Sequence, residues 1–369
     1  AVFFNEDYEP TAKKRDKVVA EKCFKNNIKI HSFKDHVLFS GEEVLNQSSL
    51  PYKVFSPYKK SWLKKISTKD YERKEEKIRY ADKKSFSEHL ATLPLNKLGF
   101  KEFDYYYEFQ TPGSTCGETA LAHFLKNINE YGDCRNFPKL TRGTSGLSVH
   151  LRFGTISVRS CVRACIKNTS KGAKIWLSEL IWRDFYSMIL DAHPHVVSSS
   201  FKKKYDDIGW CEDEKLLNAW EVGQTGYPIV DAGMRQLLNT GWMHNRVRMI
   251  VASFFTKDLL LDWRYGEAFF AKHLLDYDLA SNNGGWQWSA STGCDAQPYF
   301  RIFNPSLQSK RFDQEAEYIK QWVPELRNCS PRDIHSPETS NLSRQTDYPA
   351  PVVQHFIQKK KALSLFNDA

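Results

Sequence analysis

No stretch of this chain approaches the roughly twenty apolar residues that a membrane-spanning helix needs. Its eight cysteines, at positions 23, 116, 134, 161, 165, 211, 294 and 329, are scattered. The one close pair, Cys161 and Cys165, lacks zinc-ligand spacing and neighbouring ligands, so no metal site is expected. A disulfide framework is excluded too, and reduced thiols in a cytoplasmic protein are expected. The opening residues Ala1-Val2-Phe3-Phe4-Asn5 have neither the charged start nor the apolar length of a signal peptide. They read as a strand cut at its beginning. Internal repeats are absent, and strand-like alternation is almost absent beyond residue 114.

What is present points to a large folded protein. The 369 residues are 41% hydrophobic, enough for two or three domains with a real core. Aromatics reach 14%, which suits a helical core and also stacking on flat ligands such as bases or a flavin. Lys plus Arg exceed Asp plus Glu by 53 to 44, and the net charge of +9 favours an anionic partner, most commonly nucleic acid.

Along the chain, residues 1–50 read as α/β: a strand over 1–4, a Lys-rich helix over 12–26, a strand over 28–31, then a loop-like stretch. Residues 51–110 carry dense charge and read as a solvated connector with helical pieces. From about 111 to 369 the pattern is helical. Helices are expected over 119–129, 157–168, 173–193, 213–220, 228–240, 242–260, 265–274 and 313–323.

Four segments carry candidate chemistry. Between Lys174 and Tyr186, Trp176, Glu179, Arg183 and Tyr186 recur at three- and four-residue spacing and share a helix face. Two aromatics, a carboxylate and a guanidinium suit the wall of a polar pocket. A solvated face with a Glu179–Arg183 pair is the competing reading. Second, His244, Asn245, Arg246 and Arg248 cluster at a helix start, where cations are unfavourable without an anion. A phosphate backbone or a dinucleotide would supply one, and a surface-exposed basic cap is the alternative. Third, Asp276 and Asp278 precede Asn282-Asn283-Gly284-Gly285-Trp286-Gln287-Trp288. The glycines permit close approach of a ligand, and the Asp and Asn groups can hydrogen-bond a heteroaromatic ring. Fourth, Arg142-Gly-Thr-Ser-Gly-Leu-Ser148 could present backbone N–H groups to phosphate, although it lacks the Walker A lysine and the Rossmann glycine spacing.

Taken together, these blocks resemble the DNA photolyase and cryptochrome family, specifically its class I cyclobutane-dimer photolyases. The resemblance runs from about Tyr131 to the C-terminus and is weaker before it. It rests on Trp-Leu-Ser-Glu-Leu-Ile-Trp-Arg-Asp-Phe-Tyr (176–186), Thr-Gly-Tyr-Pro-Ile-Val-Asp-Ala-Gly-Met-Arg (225–235), Gly-Trp-Met-His-Asn-Arg (241–246), Asn-Asn-Gly-Gly-Trp-Gln-Trp (282–288) and Arg-Ile-Phe-Asn-Pro (301–305).

The resemblance implies a partial, Rossmann-like α/β antenna domain (1–50), a connector (51–110), and a large all-α FAD-binding domain (111–369). Tyr131 and Thr144, Ser145, Gly146, Leu147 and Ser148 would hold the FAD phosphates. Trp176, Arg183, Asp276, Tyr277, Asp278 and Asn282 would line its flavin and adenine region. Asn282 is similar to the family's residue near flavin N5, where plant-type cryptochromes usually carry Asp and animal-type ones Cys. Glu179 would hydrogen-bond a pyrimidine dimer flipped out of damaged DNA; Trp182, Asn245, Met249 and Trp288 would contact it; Arg135, Arg246 and Gln308 would meet DNA. Trp286, Trp263 and Trp210 would form an electron relay. The His pair of six-four photolyases is absent, which favours cyclobutane dimers. By the resemblance, residues 1–40 match only the later part of that antenna domain. Glu9 sits where folate-binding members use a carboxylate, and a folate or deazaflavin antenna would belong to the full-length protein. A monomer is expected. A cryptochrome-type photoreceptor is the alternative function, and a helical DNA-binding protein without flavin is a third.

Overall fold

The computed structural model describes residues 1–73, 94–100 and 105–367. Strands form a sheet only at the front among these residues. Val2–Asn5 (β1) and Ile30–Phe33 (β2) pair in parallel, with Val2 opposite Ile30 and Asn5 opposite Phe33. Pro10–Lys25 (α1) is the crossover between them. Pro10 opens it because the first helical turn needs no N–H there. β2 begins two residues after the apolar run that starts at Ile28, because α1 unwinds through Asn26 and Asn27, the latter at φ +55°.

Residues 55–65 depart from the solvated connector that their charge suggests. Phe55, Tyr58 and Trp62 recur at helical spacing in Phe55–Lys65 (α2), and all three are buried, while Lys60 faces water and half-buried Lys59 donates to Ser178 Oγ. Trp62 Nε1 donates to Asp184 at 2.9 Å. The backbone N–H groups of Leu38 and Phe39 donate to the same carboxylate at 3.2 Å. Burial pushes the Asp184 pKa up, and these donors offset part of that rise. The charged stretch is therefore anchored to the core at its start; residues 74–93 and 101–104 lie outside the described residues.

Eight helices bear on the site and its surroundings: Val158–Lys167 (α3), Lys171–Ala192 (α4), Pro228–Thr240 (α5), Asn245–Lys257 (α6), Trp263–His273 (α7), Leu279–Ala290 (α8), Pro305–Phe312 (α9) and His355–Asn367 (α10). Side-chain caps start several of them. Ser170 accepts from Ala173 N at 3.2 Å, Asp262 from Arg264 N at 3.0 Å and Asn304 from Leu307 N at 2.9 Å. Gly241, in the left-handed region at φ +65°, ends α5.

No helix is legible in the sequence over 279–290, since each glycine in a helix interior costs about 1 kcal/mol relative to alanine. α8 forms there because packing against its neighbours outweighs that cost, and Gly284 is the glycine this packing requires. A Cβ on Gly284 would lie 2.3 Å from Cδ1 of Tyr186 on α4. In the same way a Cβ on Gly266 of α7 would lie 2.1 Å from the Trp286 ring. α8 thus packs closely on α4, α6 and α7.

Two apolar cores result. One gathers Trp220, Phe255, Trp263, Phe270 and Trp286, and the other gathers Trp62, Leu147, Trp176, Ile181 and Phe185. α4 belongs to the second, and α6 and α8 to the first, so their facing surfaces enclose the space between.

Gly284→Ala is expected to lower stability by about 1–2 kcal/mol, because overpacking against Tyr186 outweighs the helix-propensity gain of about 1 kcal/mol. The shift of the urea midpoint measures it, and an unshifted or raised midpoint would show that Tyr186 yields freely.

Candidate active site

The space between the two cores is a cavity. Its first part takes Tyr131, the Thr144–Ser148 loop, Trp176, Glu179 and Arg183 from one side, and Asn245, Arg248, Asp276 and Asp278 from the other. Asn245, Arg248, Asp276, Asp278 and Ser281 also line a second part, which continues to Met249, Tyr277, Asn282, Gly285 and Trp286. All twelve residues expected to hold a cofactor therefore meet in one continuous space.

Each polar group there has a physical reason for its place. Asp278 is the N-cap of α8 and accepts from Ser281 N at 2.8 Å through Oδ1. Its Oδ2 lies 3.3 Å from His36 Nε2. Burial raises its pKa, but the His36 hydrogen bond and the Arg183 guanidinium more than reverse this, and the carboxyl ends well below its ordinary value. Arg183 donates to the backbone oxygens of His36 and Leu151. The Glu179–Arg183 pair of the competing solvated-face reading does not form, because Arg183 turns toward the N-terminal unit. Glu179 pairs instead with Arg135, whose guanidinium lies over the Tyr131 ring at 5.2 Å.

The cationic cluster at the start of α6 separates into three roles. Arg248 donates to Asp276 Oδ2 at 2.8 Å and to Met243 O at 2.7 Å, so much of the anion its position calls for is a carboxylate of the chain itself. His244 caps α6 by accepting from Arg246 N at 3.1 Å through Nδ1. Burial, then the nearby Arg246, Arg248 and Arg135, push its pKa down to about 3, so the ring is neutral. Arg246 donates to Asn136 Oδ1 at 2.8 Å.

The stretch 282–288 divides residue by residue. Asn282 Nδ2 donates to Glu267 Oε1 at 2.8 Å while the residue lines the cavity. Asn283 and Gln287 turn away and donate to Val196 O at 2.8 and 3.0 Å. Gly284 admits Tyr186, and Gly285 leaves bare backbone at the cavity wall, with no atom within 4 Å of where its Cβ would sit. Trp286 closes the floor amid the rings of Phe255, Phe270 and Trp220. Trp263 shares its core and half-buried Trp210 packs against that core, so the three proposed relay residues lie in one apolar cluster.

Other expected residues lie apart from this space. Trp182 stacks on Phe55 with ring centres 3.7 Å apart, and neither it nor half-buried Trp288 lines the cavity. Gln308 lines a separate hollow with Asn304, Leu307, His355 and Lys359. Glu9, at the antenna carboxylate position, lies 3.1 Å from Arg152 and accepts from Leu279 N, and so ties the N-terminal unit to α8. Sequence reasoning missed Arg152, Arg248 as a cavity residue, His36 and Glu267. Arg248 follows Asn245 by three positions on one helix face and was findable by spacing. His36 and Arg152 meet partners more than a hundred residues away and left no local signal.

An FAD fits these residues. Asp276 Oδ1 is buried with no partner among the described residues, and a ring-edge N–H would satisfy it. Thr144, Ser145 and Ser148 offer hydroxyls to a pyrophosphate, beside Gly146 at φ +64°. No group of His, Cys, Asp and Glu able to hold a metal occurs among the described residues.

Helices that wall a cavity of this kind behind an α/β unit define a flavin-dinucleotide-binding protein class. The model of the FAD binding domain of DNA photolyase matches residues 176–368, and that of DNA photolyase matches 1–77. The chain belongs to the DNA photolyase family. A deoxyribodipyrimidine photo-lyase of Synechococcus sp. is 41% identical, covering 100% of this chain and 78% of that protein. A class III photolyase structure from Agrobacterium tumefaciens superposes with TM-score 0.83 at 34% identity, covering 100% of this chain and 79% of that one. A Synechocystis cryptochrome structure gives 0.81 at 26% identity, covering 98% and 78%. These likenesses do not separate class I from class III.

Two outcomes check the site. Gly285→Ala should raise the stability of flavin-free protein by up to about 1 kcal/mol through helix propensity, yet lower the flavin bound per chain, read at 450 nm against protein absorbance; unchanged flavin content would remove Gly285 from the cavity wall. His244 is charged in the unfolded chain below its ordinary 6.5 but stays neutral in the fold down to about 3. Stability should therefore fall as pH drops through that window, and His244→Asn, which keeps a capping oxygen, should flatten the fall in urea midpoints between pH 7 and 4.

Proposed function

We propose that this protein splits cyclobutane pyrimidine dimers in DNA, driven by blue light. The observation that carries the reading is a single cavity with a buried inner end and an accessible carboxylate. Asp276 is 2% exposed by side chain, whereas Glu179 in the same cavity is 33% exposed. A reduced FAD held by these residues would supply light-driven one-electron donation to the dimer.

The chain's own residues prepare that event. Asp276 and Asp278 hold the ring edge, and the Thr144–Ser148 loop holds the phosphates. Asn282, with its amide N–H turned to Glu267, offers its oxygen to the cavity. Glu179, once Arg135 releases it and its carboxylate takes up a proton from solvent, donates a hydrogen bond to a carbonyl of the dimer and stabilises the charge gained there. Asn245 and Met249 contact the dimer. These two residues occupy the positions of the six-four photolyase His pair, which supports a cyclobutane substrate and the class I reading. Trp182 and Trp288 face the lesion only if it extends past the cavity lining. Flipping costs less at a damaged, poorly stacked step, which helps select the lesion. Trp286, Trp263 and Trp210 relay electrons inward, supported by their common apolar cluster. The reading places a monomer in the cytoplasm, with every cavity residue supplied by one chain. No helix among the described residues is long and apolar enough to cross a membrane. Asn282 supports repair over a purely light-sensing role, since plant-type cryptochromes usually carry Asp at that position and animal-type ones Cys.

Reduced protein should lower the dimer content of a thymine-dimer oligonucleotide in blue light and not in darkness. Glu179→Ala should cut repair per photon about tenfold or more, the size expected for losing one charge-stabilising donor, with flavin absorbance retained. Equal dimer content in light and dark would overturn the function, and unchanged repair per photon would overturn the role of Glu179.

A further inference from the structure

Phe55, the first residue of α2, lies face to face with Trp182 of α4, the ring centres 3.7 Å apart and the planes 7° from parallel. Aromatic pairs left to themselves prefer offset or edge-on contacts to such a sandwich, so the surroundings hold this one. Phe185 meets both rings edge-on, Phe55 at 5.8 Å and Trp182 at 5.5 Å. Tyr186 lies against the indole at 5.3 Å. The backbone N–H of Phe55 donates to Asp295 Oδ2 at 2.9 Å, across 240 residues of chain. Val54, the N-cap of α2, makes no side-chain cap of its own, so the Asp295 carboxylate supplies the anion that this helix start lacks. Asp295, at φ +43°, belongs to the loop after α8, where the N–H groups of Thr292 and Gly293 both donate to Gln287 O, at 3.1 and 3.0 Å. The loop is thereby fixed to the last turn of α8, which carries Trp288.

Phe55 is buried, but Trp182 is only half-buried. Trp182 follows Glu179 by three positions and so shares its helix face, at the lip of the cavity that Glu179 lines. The outer torsion of an indole is broad, and a ring pressed flat against one face removes that freedom. Burial alone does not call for it, since an edge-on contact would fill the space in a preferred geometry. We propose that Phe55 is a positioning residue for repair: stacked on Trp182 and anchored by Asp295, it fixes the plane in which the indole meets a flipped-out pyrimidine dimer. The indole is then ordered before the lesion arrives, so less conformational freedom is lost on binding. The inference rests on the reading that Trp182 contacts the dimer, and it gives that contact its support. Phe55 lines no part of the cavity. It therefore bears on lesion selection and leaves the phosphate-borne grip on undamaged DNA as it is.

The test is equilibrium binding of the flavin-loaded protein, in darkness, to a thymine-dimer duplex and to the same duplex undamaged, read as the ratio of the two affinities. Trp182→Ala should lower the ratio about fivefold or more, the size of one aromatic contact with a base. Phe55→Leu should lower it about threefold, the order of one aromatic pair. In a Trp182→Ala background Phe55→Leu should add nothing, because its effect passes through the indole. Asp295→Ala should behave as Phe55→Leu does. Asp295→Asn, which keeps an accepting oxygen and tolerates the left-handed backbone, should retain the ratio. Binding to the undamaged duplex should not move in any variant. An unchanged ratio in Trp182→Ala would sink the lesion reading of Trp182. A lowered ratio there with none in Phe55→Leu would overturn the positioning and leave that reading standing. So would a Phe55→Leu loss of full size in the Trp182→Ala background, which is what a merely structural role produces. Retained flavin absorbance confirms the fold. Should Phe55→Leu lose its flavin, exposed Asp295 decides alone, and an unchanged ratio in Asp295→Ala would then overturn the proposal.

Discussion

Asp278 caps α8 with one carboxylate oxygen, receives His36 from the N-terminal unit on the other, and lies beside Arg183 of α4. A buried carboxylate left unpaired would be strongly destabilising. Its three neighbours must therefore arrive together, and in arriving they bring α8, α4 and the α/β unit to fixed positions. The cavity exists because those parts are held there. The same carboxylate lines it, so the group that stabilises the assembly also faces the ligand.

The glycines of α8 and α7 complete that constraint. A helix this poor in intrinsic propensity forms only where packing outweighs it, and Tyr186 against Gly284 and Trp286 against Gly266 supply that packing. One result is a floor of aromatic rings under the cavity. Another is a wall at Gly285 with no side chain. Stability and ligand access are assigned to adjacent residues of one helical turn.

Charge is divided in a similar way. Within the cavity, cations find acids of the chain: Arg248 with Asp276, Arg135 with Glu179, Arg152 with Glu9. The Glu179–Arg135 pair lies where a substrate would enter and is open to competition from a phosphate. Around Phe312, Arg246 and Arg311 find no acid within ion-pair distance among the described residues.

Much was legible before any fold was known. Short blocks with unusual mixtures of Trp, Asn, Asp and Gly pointed to a pocket for a flat heteroaromatic ring, because such groups are chosen for chemistry and not for burial, and the family resemblance made that ring a flavin. Helices α3 to α7 followed from apolar periodicity, which is a local property. The tertiary structure decided what depended on distance along the chain. It paired Glu179 with Arg135 where helical spacing suggested Arg183, made a helix of 279–290 against its own propensity, and anchored Phe55–Lys65 through Trp62 to Asp184, 122 residues away. It also set Arg246 beside Arg311 on one ring. Residue chemistry is written in the chain, whereas the partner that fulfils it is chosen only when remote segments compete for the same buried space.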